Sequence, residues 1–235
     1  AIFKLAVAHE YGYGVKQSSR AAFELYKNAS KCGHVAAVFN YGRMLLHGLG
    51  GPETEHNVEK GVHNIRYAAE SGYIPAGVAL GQLYEHGDGV DKNEYTAFEW
   101  YQTAAQEDYP DGAYHVGRAY KNGIGVQRDP EKAIKMLQRA MRLGSADSHF
   151  EFGVMFRDGV FVERNIYQAA KRFKSAAELG HTAAQYNLGL CYMNGKGVKQ
   201  DNSEALYWFI KAGYKPGAFD LEKAKGNGQQ LEQAK

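Results

Sequence analysis

Residues 192–201 read YMNGKGVKQD. A Gly-x-Gly pair ahead of a helix can open a dinucleotide-binding loop, because side-chain-free backbone lets amide N–H groups approach a pyrophosphate at a helix N-terminus. That chemistry needs a buried strand before Gly195 and Gly197, a third glycine after them, and an acidic residue about 20 positions on to hold a ribose. None of the three is present. The preceding stretch AAQYNLGLCYMN spaces Ala184, Leu188 and Tyr192 four apart, the period of a helical face rather than of a strand. The glycines therefore end a helix. The signal also recurs, as YGYGV, HGDGV, NGIGV and NGKGV, with valines at Val15, Val90, Val126 and Val198. A single phosphate site does not repeat at a fixed period.

The remaining reactive residue types give no constellation either. Of nine histidines, His47 and His86 fall at equivalent helix positions, which puts them about 10 Å apart, the usual separation of packed helices. That is too far for one ion without a third ligand, and no HExxH or two-His-one-carboxylate spacing occurs, so no metal is expected. Cys32 and Cys191 share no CxxC or Cys/His spacing and read as small packing residues. There is no GxSxG and no cysteine with a characteristic base partner. Neither enzymatic activity nor a cofactor is expected. Asn28-Ala29-Ser30 matches a glycosylation sequon but lies in a predicted helix.

The 235 residues, 44% hydrophobic and 13% aromatic, suffice to bury a core, and 28 basic against 26 acidic residues leave a net charge of +2, too balanced for nucleic acid as an obligate partner. No run of about 18 apolar residues exists to span a bilayer. Because the sequence begins at Ala1 rather than methionine, a processed or excised chain is expected, with any targeting segment upstream; secreted, periplasmic and cytoplasmic locations stay open.

Six copies of one unit start near Ala1, Ala37, Ala76, Gly112, Ser148 and Ala184, with a period of 36 and three extra residues in the second copy. Each carries a bulky–small pair (Leu5-Ala6, Tyr41-Gly42, Leu80-Gly81, Val116-Gly117, Phe152-Gly153, Leu188-Gly189) on a first helix, A, where another helix must come close. After the turn, Ser18, Asn57, Asn93, Asp129, Asn165 and Asp201 supply short oxygen-bearing side chains suited to cap a second helix, B. At Asp129-Pro130-Glu131 proline and an acid reinforce the start. Helix B carries small residues at Ala22, Gly61, Ala97, Ala133, Ala169 and Ala205, and should stop where Gly33, Gly72, Asp108, Gly144 and Gly180 take a left-handed conformation. Such units bury their apolar faces only by stacking, so the expected fold is all-α, a right-handed α/α superhelical solenoid.

The combined pattern AxxxLGxxYxxGxGVxxDxxxAxxWYxxAAxxG resembles the Sel1-like repeat, a relative of the tetratricopeptide repeat, most closely in AGVALGQLYEHGDGVDKNEYTAFEWYQTAAQ from Ala76 and AQYNLGLCYMNGKGVKQDNSEALYWFIKAG from Ala184. The resemblance covers residues 1 to about 217. The remaining residues, 218–235, are expected to form a short capping helix followed by a frayed tail. Three departures stand out. The second copy has HGLGGPETEHN in place of a short turn, an expected protrusion. The fifth has Phe161 for the second turn glycine and Arg172 where Trp100 and Trp208 stand. The first has Ala6 and His9 at the glycine and tyrosine positions and starts partway into what looks like an array, so further repeats are expected before it.

The resemblance implies a protein-interaction scaffold or adaptor that holds a partner or an extended peptide along a concave face lined by A helices. Residues two and five positions after each core leucine point about 160–200° away from it, which selects Val7 and Glu10, Arg43 and Leu46, Gln82 and Glu85, Arg118 and Lys121, Val154 and Arg157, Leu190 and Met193. The expected partner-binding residues are Arg43, Gln82, Glu85, Tyr114, His115, Arg118, Lys121, Asn122, Arg157 and Tyr186. Among them Arg118, Lys121 and Arg157 are expected to anchor an acidic segment or a C-terminal carboxylate, since an arginine fork donates two parallel bonds. The alternative is a secreted or cell-envelope protein binding polysaccharide or peptidoglycan. It would use the aromatic row Phe3, Phe39, Tyr114, Phe150 and Tyr186, whose simpler reading is packing between repeats.

Overall fold

The computed structural model describes residues 1–51 and 56–215, and over these the chain is all α-helical. The A helices are α1 (Ile2–Tyr11), α3 (Val35–His47), α5 (Ile74–His86), α7 (Pro110–Asn122), α9 (Ala146–Asp158) and α11 (Thr182–Asn194). The B helices are α2 (Ser19–Lys31), α4 (Val58–Glu70), α6 (Glu94–Gln106), α8 (Pro130–Arg142), α10 (Ile166–Glu178) and α12 (Asn202–Lys211). The expected capping helix in 218–235 and part of the long second-repeat loop lie outside the described residues.

Local chemistry accounts for the boundaries. Ser18, Asn57, Asn93, Asn165 and Asp201 each accept a hydrogen bond from a first-turn amide of the B helix that follows, while α8 starts at Pro130, directly after Asp129. The A helices α1, α3, α5, α9 and α11 end on Gly12, Gly48, Gly87, Gly159 and Gly195, all left-handed, a conformation open to glycine at little cost. Phe161 adopts the same left-handed backbone, φ +62°, as the second turn glycines do, such as Gly125 at +64°. The fifth repeat therefore keeps the turn geometry, at the expense of strain that glycine avoids. Asp108, φ +52°, does the same at the end of α6.

The chain divides into two compact units, Ala1–Asp129 and Pro130–Lys235. In the first, each helix from α1 to α7 packs on the next, and in the second so does each helix from α8 to α12. This is the neighbour-only packing of an α/α solenoid. The first unit's core runs through Phe23, Tyr26, Met44 and Leu45 and on through Ile65, Leu80 and Leu83. The second is built on Phe173, Leu188 and Trp208, with Ala169 and Ala176 between them.

The small residues mark where A and B helices touch backbone to backbone. A Cβ on Gly61 would lie 2.7 Å from the Leu46 amide nitrogen and 2.9 Å from the Gly42 carbonyl oxygen. On Gly81 it would lie 2.6 Å from the Tyr101 ring. Because the neighbours of Gly61 are backbone atoms, they cannot rotate away. Gly61→Ala is expected to cost toward the top of the roughly 1–3 kcal/mol typical of overpacking, and Asn93→Ala about 1 kcal/mol for a lost cap. Urea denaturation of the two variants checks the order, and equal losses would mean that the α3–α4 crossing tolerates a side chain.

Candidate functional site

Each of the two units has a concavity that its A helices help to line. In the first unit a groove of about 510 Å³ lies across α3 and α5 and reaches the start of α7, with Phe39, Leu46, Val78 and Leu83 among its apolar lining and Arg43, Gln82, His47, His86 and Asp88 among its polar lining. In the second unit a smaller pocket of about 180 Å³ lies between α9, α10 and α11, with Phe173, Leu190 and Cys191 inside and Arg157, Asn187, Asn194 and Lys196 around it.

Next to the first groove, polar residues that the sequence reading assigned to a ligand are engaged with one another. Glu85 is buried, 8% exposed. Its Oε2 accepts from the Tyr101 hydroxyl at 2.8 Å and from the Arg118 guanidinium. The same arrangement occurs two interfaces earlier, where Glu10 accepts from the Tyr26 hydroxyl at 2.6 Å and from Arg43. In both cases a glutamate on one A helix, a tyrosine on its B helix and an arginine on the next A helix close a triad. Burial, reinforced by the hydrogen bond to Glu85, raises the Tyr101 hydroxyl well above its usual range, so it stays a donor. Glu10 acts on Tyr26 in the same way.

His115 lies beside the second triad, also 8% exposed, stacked on Tyr101 with ring centroids 4.4 Å apart. The Gln82 amide lies 3.1 Å from His115 Nε2 and donates to it in the neutral imidazole. Burial, with Arg118 and His86 adding positive potential, pushes the His115 imidazole down to about 3. Tyr114 sits edge-on to His115 at 5.2 Å, Lys121 is partly buried, and Asn122 is exposed at the end of α7.

Glu85 and His115, expected on an open face, are thus interior, Leu46 is buried but keeps an edge in the first-unit groove, and Val7 and Val154 pack against the cores. The physical reason is that a helix in a stack has neighbours on two flanks, so the side away from the core leucine is covered by the next repeat. The acid-anchoring expectation needs the same correction for Arg118, whose guanidinium already holds Glu85. In the second unit Arg157 remains at the surface, bonded to its neighbour Asp158 at 2.7 and 2.8 Å and to Asn187 at 3.3 Å. Tyr186 is half exposed with its ring 5.4 Å from Phe209.

The aromatic row serves packing at three of its positions. Phe3 stacks on His34 and Phe150 on His181, both at 4.4 Å, and Phe39 lies 5.5 Å from Tyr73. His34 and His181 use their other role at the same time, accepting through Nδ1 from the Ala37 and Ala184 amides to cap α3 and α11. Tyr26 and Tyr101 escaped the sequence reading, although a signal for them exists: Glu, Tyr and Arg recur with separations of 16 and 33 at Glu10–Tyr26–Arg43 and Glu85–Tyr101–Arg118.

As for catalysis, burial pushes the Cys191 thiol up, away from the thiolate a nucleophile needs. Among the described residues no group of three or more His, Cys, Asp or Glu is placed to hold a metal ion, and no helix is long and apolar enough to cross a membrane.

Two outcomes follow from the triads. Arg118→Ala leaves the buried Glu85 carboxylate without its cation and should cost about 3 kcal/mol. Arg157→Ala removes only a surface pair and should cost less than about 1 kcal/mol. Equal losses in thermal or urea unfolding would mean that the Glu85 triad is not a structural contact. His115 gives a pH dependence. Between about pH 6.5 and 3 the unfolded chain takes up a proton that the folded imidazole refuses. Its contribution to stability is therefore complete above about pH 6.5 and is lost as pH falls toward 3. At pH 4 the loss relative to His115→Phe should be on the order of 3 kcal/mol; parallel stability–pH curves for wild type and variant would refute this.

Comparison with known proteins agrees with this architecture. The family profile described as "Sel1 repeat" matches six times, at residues 1–34, 35–73, 77–109, 110–145, 146–181 and 182–215. Among solved structures, a Sel1 repeat protein from Oxalobacter formigenes is 29% identical, over 90% of this chain and 85% of that one, with a TM-score of 0.74. The protective antigen c5321 of uropathogenic Escherichia coli, described as displaying an SLR fold, is 24% identical with a TM-score of 0.66, over 99% of this chain and 51% of that one. The immunity protein Pa5087 of Pseudomonas aeruginosa is 24% identical with a TM-score of 0.58, over 76% of this chain and 64% of that one. The latter two likenesses speak to the fold alone. No curated protein matches the sequence significantly. Sel1 repeat proteins are generally protein-interaction scaffolds and typically not catalysts. With six repeats spanning nearly the whole sequence, the chain belongs to the Sel1 repeat family.

Proposed function

We propose that the chain is a scaffold that binds an extended segment of a partner protein along its A helices, with the first-unit groove receiving an apolar side chain of that segment. The observation that carries this reading is the groove itself. Three successive A helices contribute to its lining, its floor is apolar, and polar groups stand around it, the combination that gives a peptide both burial and orientation. Arg43 and Gln82, expected partner-binding residues, line it. Glu85, His115 and Arg118 stand behind it and hold the wall in place rather than touching the ligand. Of the described lining residues only Arg43 carries a permanent positive charge, and Glu10 holds it. The first-unit groove thus favours an apolar anchor over an acidic one.

The test is a selection of peptides from a random displayed library on the full chain, followed by affinity measurements on Ala79→Arg. Ala79 lines the groove and is only partly buried, so the longer side chain plugs the space while its charge stays in water. Selected peptides should share an apolar position, and Ala79→Arg should weaken them at least about tenfold, roughly 1.4 kcal/mol, with unchanged thermal stability. Peptides that bind the variant as tightly as wild type would sink the groove assignment. An empty selection alongside a hit on a glycan array would turn the reading to polysaccharide.

A further inference from the structure

The triads show what the α9–α10–α11 pocket lacks. At the first interface the positions hold Glu10, Tyr26 and Arg43, and at the third Glu85, Tyr101 and Arg118. The corresponding positions at the fifth interface hold Arg157, Phe173 and Leu190. The charge on the first A helix is reversed, the tyrosine hydroxyl is gone, and the residue on the next A helix that should carry the opposite charge is a leucine. What is left is a pocket of about 180 Å³ in the place of the polar contact. Its volume is comparable with apolar cavities of about 150 Å³ that take up a benzene-sized molecule.

Positive charge borders it without a buried counter-charge. Arg157 and Lys196 both line the pocket and both bear electrostatically on the Cys191 thiol inside it. The acid next to Arg157 is Asp158, on the same helix, held by two parallel bonds in a pair about two-fifths exposed on each side, where water and salt screen its charge. Of the five N–H bonds of a guanidinium, two go to Asp158 and one to Asn187, which leaves two. Among the described residues Lys196 makes no ion pair.

We propose that this pocket binds a glutamate side chain of an extended partner segment, together with the aliphatic residue two positions before it, which an extended chain presents on the same side. The carboxylate pairs with Arg157 and Lys196, and the aliphatic group fills the space over Phe173 and Leu190. The ligand thereby supplies the acid–base contact that the chain makes for itself at its first and third interfaces. This rests on the scaffold reading and adds to it the chemistry of a second, acidic position in the partner, served by a different part of the chain from the first-unit groove.

The experiment titrates the full chain with four acetylated peptides on one alanine–serine frame and follows binding by calorimetry or amide chemical shifts. They carry leucine and, two positions on, glutamate, glutamine or lysine with an amidated end (Leu-Glu, Leu-Gln and Leu-Lys below), or Leu-Gln with a free C-terminal carboxylate. Blocked Leu-Glu should bind at least about tenfold tighter than blocked Leu-Gln, with an advantage that shrinks as salt shortens the screening length below about 8 Å. Arg157→Gln and Lys196→Gln should each remove most of that advantage, and Arg157→Glu should transfer preference to Leu-Lys. Arg157 and Lys196 are exposed, so the variants keep the fold, which circular dichroism verifies. Equal binding of Leu-Glu and Leu-Gln, a Leu-Glu advantage that survives both variants, or binding of the free-acid peptide alone would overturn the proposal. So would the absence of any binding at millimolar peptide. If that failure comes while apolar peptides still bind wild type and not Ala79→Arg, only the glutamate site falls. If no peptide binds either unit, the scaffold reading falls with it.

Discussion

The structure depends on how closely the A helix of each repeat approaches its B helix. At Gly42 and Gly61 the two backbones are so near that a single methyl group would meet a main-chain nitrogen and a carbonyl oxygen. Such contact is possible only where both helices present small residues, and the same demand appears as Gly81 under Tyr101, Gly153 under Phe173 and Gly189 under Phe209. In those three the glycine is the socket and the ring on the B helix is the plug. Close approach is what lets a pair of 13-residue helices bury enough surface to be stable when stacked. It also sets the spacing at which the next repeat must dock.

Given that spacing, the interfaces between repeats are free to differ in chemistry while keeping the same geometry. Two are closed by a glutamate, a tyrosine and an arginine, with the carboxylate satisfied by two donors. Others place leucine, isoleucine or phenylalanine at the same positions, as Leu46 and Ile65 do before Gln82. A polar interface costs desolvation and is stable only with its partners complete, whereas an apolar one is tolerant. The polar ones therefore hold only with all three members in place, and the arginines in them serve the fold before they serve any ligand. The arginines differ in where their carboxylate partner stands: Glu85 and Glu10 are largely covered, whereas Asp158, beside Arg157, is exposed.

The same argument bears on the aromatic row. A phenylalanine at the start of an A helix would be a platform for a sugar or a base if it stood alone. In this chain the residue that begins the next A helix lies against it: His34 on Phe3, Tyr73 on Phe39 and His181 on Phe150. Two of those partners also cap their own helix through the other edge of the ring. One imidazole thus joins a local requirement, the orphan amides of a helix start, to a contact between repeats.

How much was legible in the sequence divides along a physical line. The number of repeats, the helix starts at Ser18, Asn57, Asn93, Asn165 and Asp201, the left-handed stops including Asp108, and the small positions at the crossings were all readable. Each is decided within about one helical turn of the residue concerned, by backbone conformation, by a side-chain oxygen's reach, or by the absence of a Cβ. The pairing of Glu85 with Arg118 and the burial of His115 and Leu46 depend instead on residues about 33 positions away, brought alongside only when one repeat docks on the next. A helical wheel with one core face and one open face has no place for that second neighbour, so it left Glu85 in solvent. The charge pattern held the clue, since glutamate and arginine recur at matched positions in consecutive repeats. But the third member, a tyrosine on the intervening B helix, acquires its role only where the two helices and the next repeat meet, and that meeting is decided by the tertiary structure.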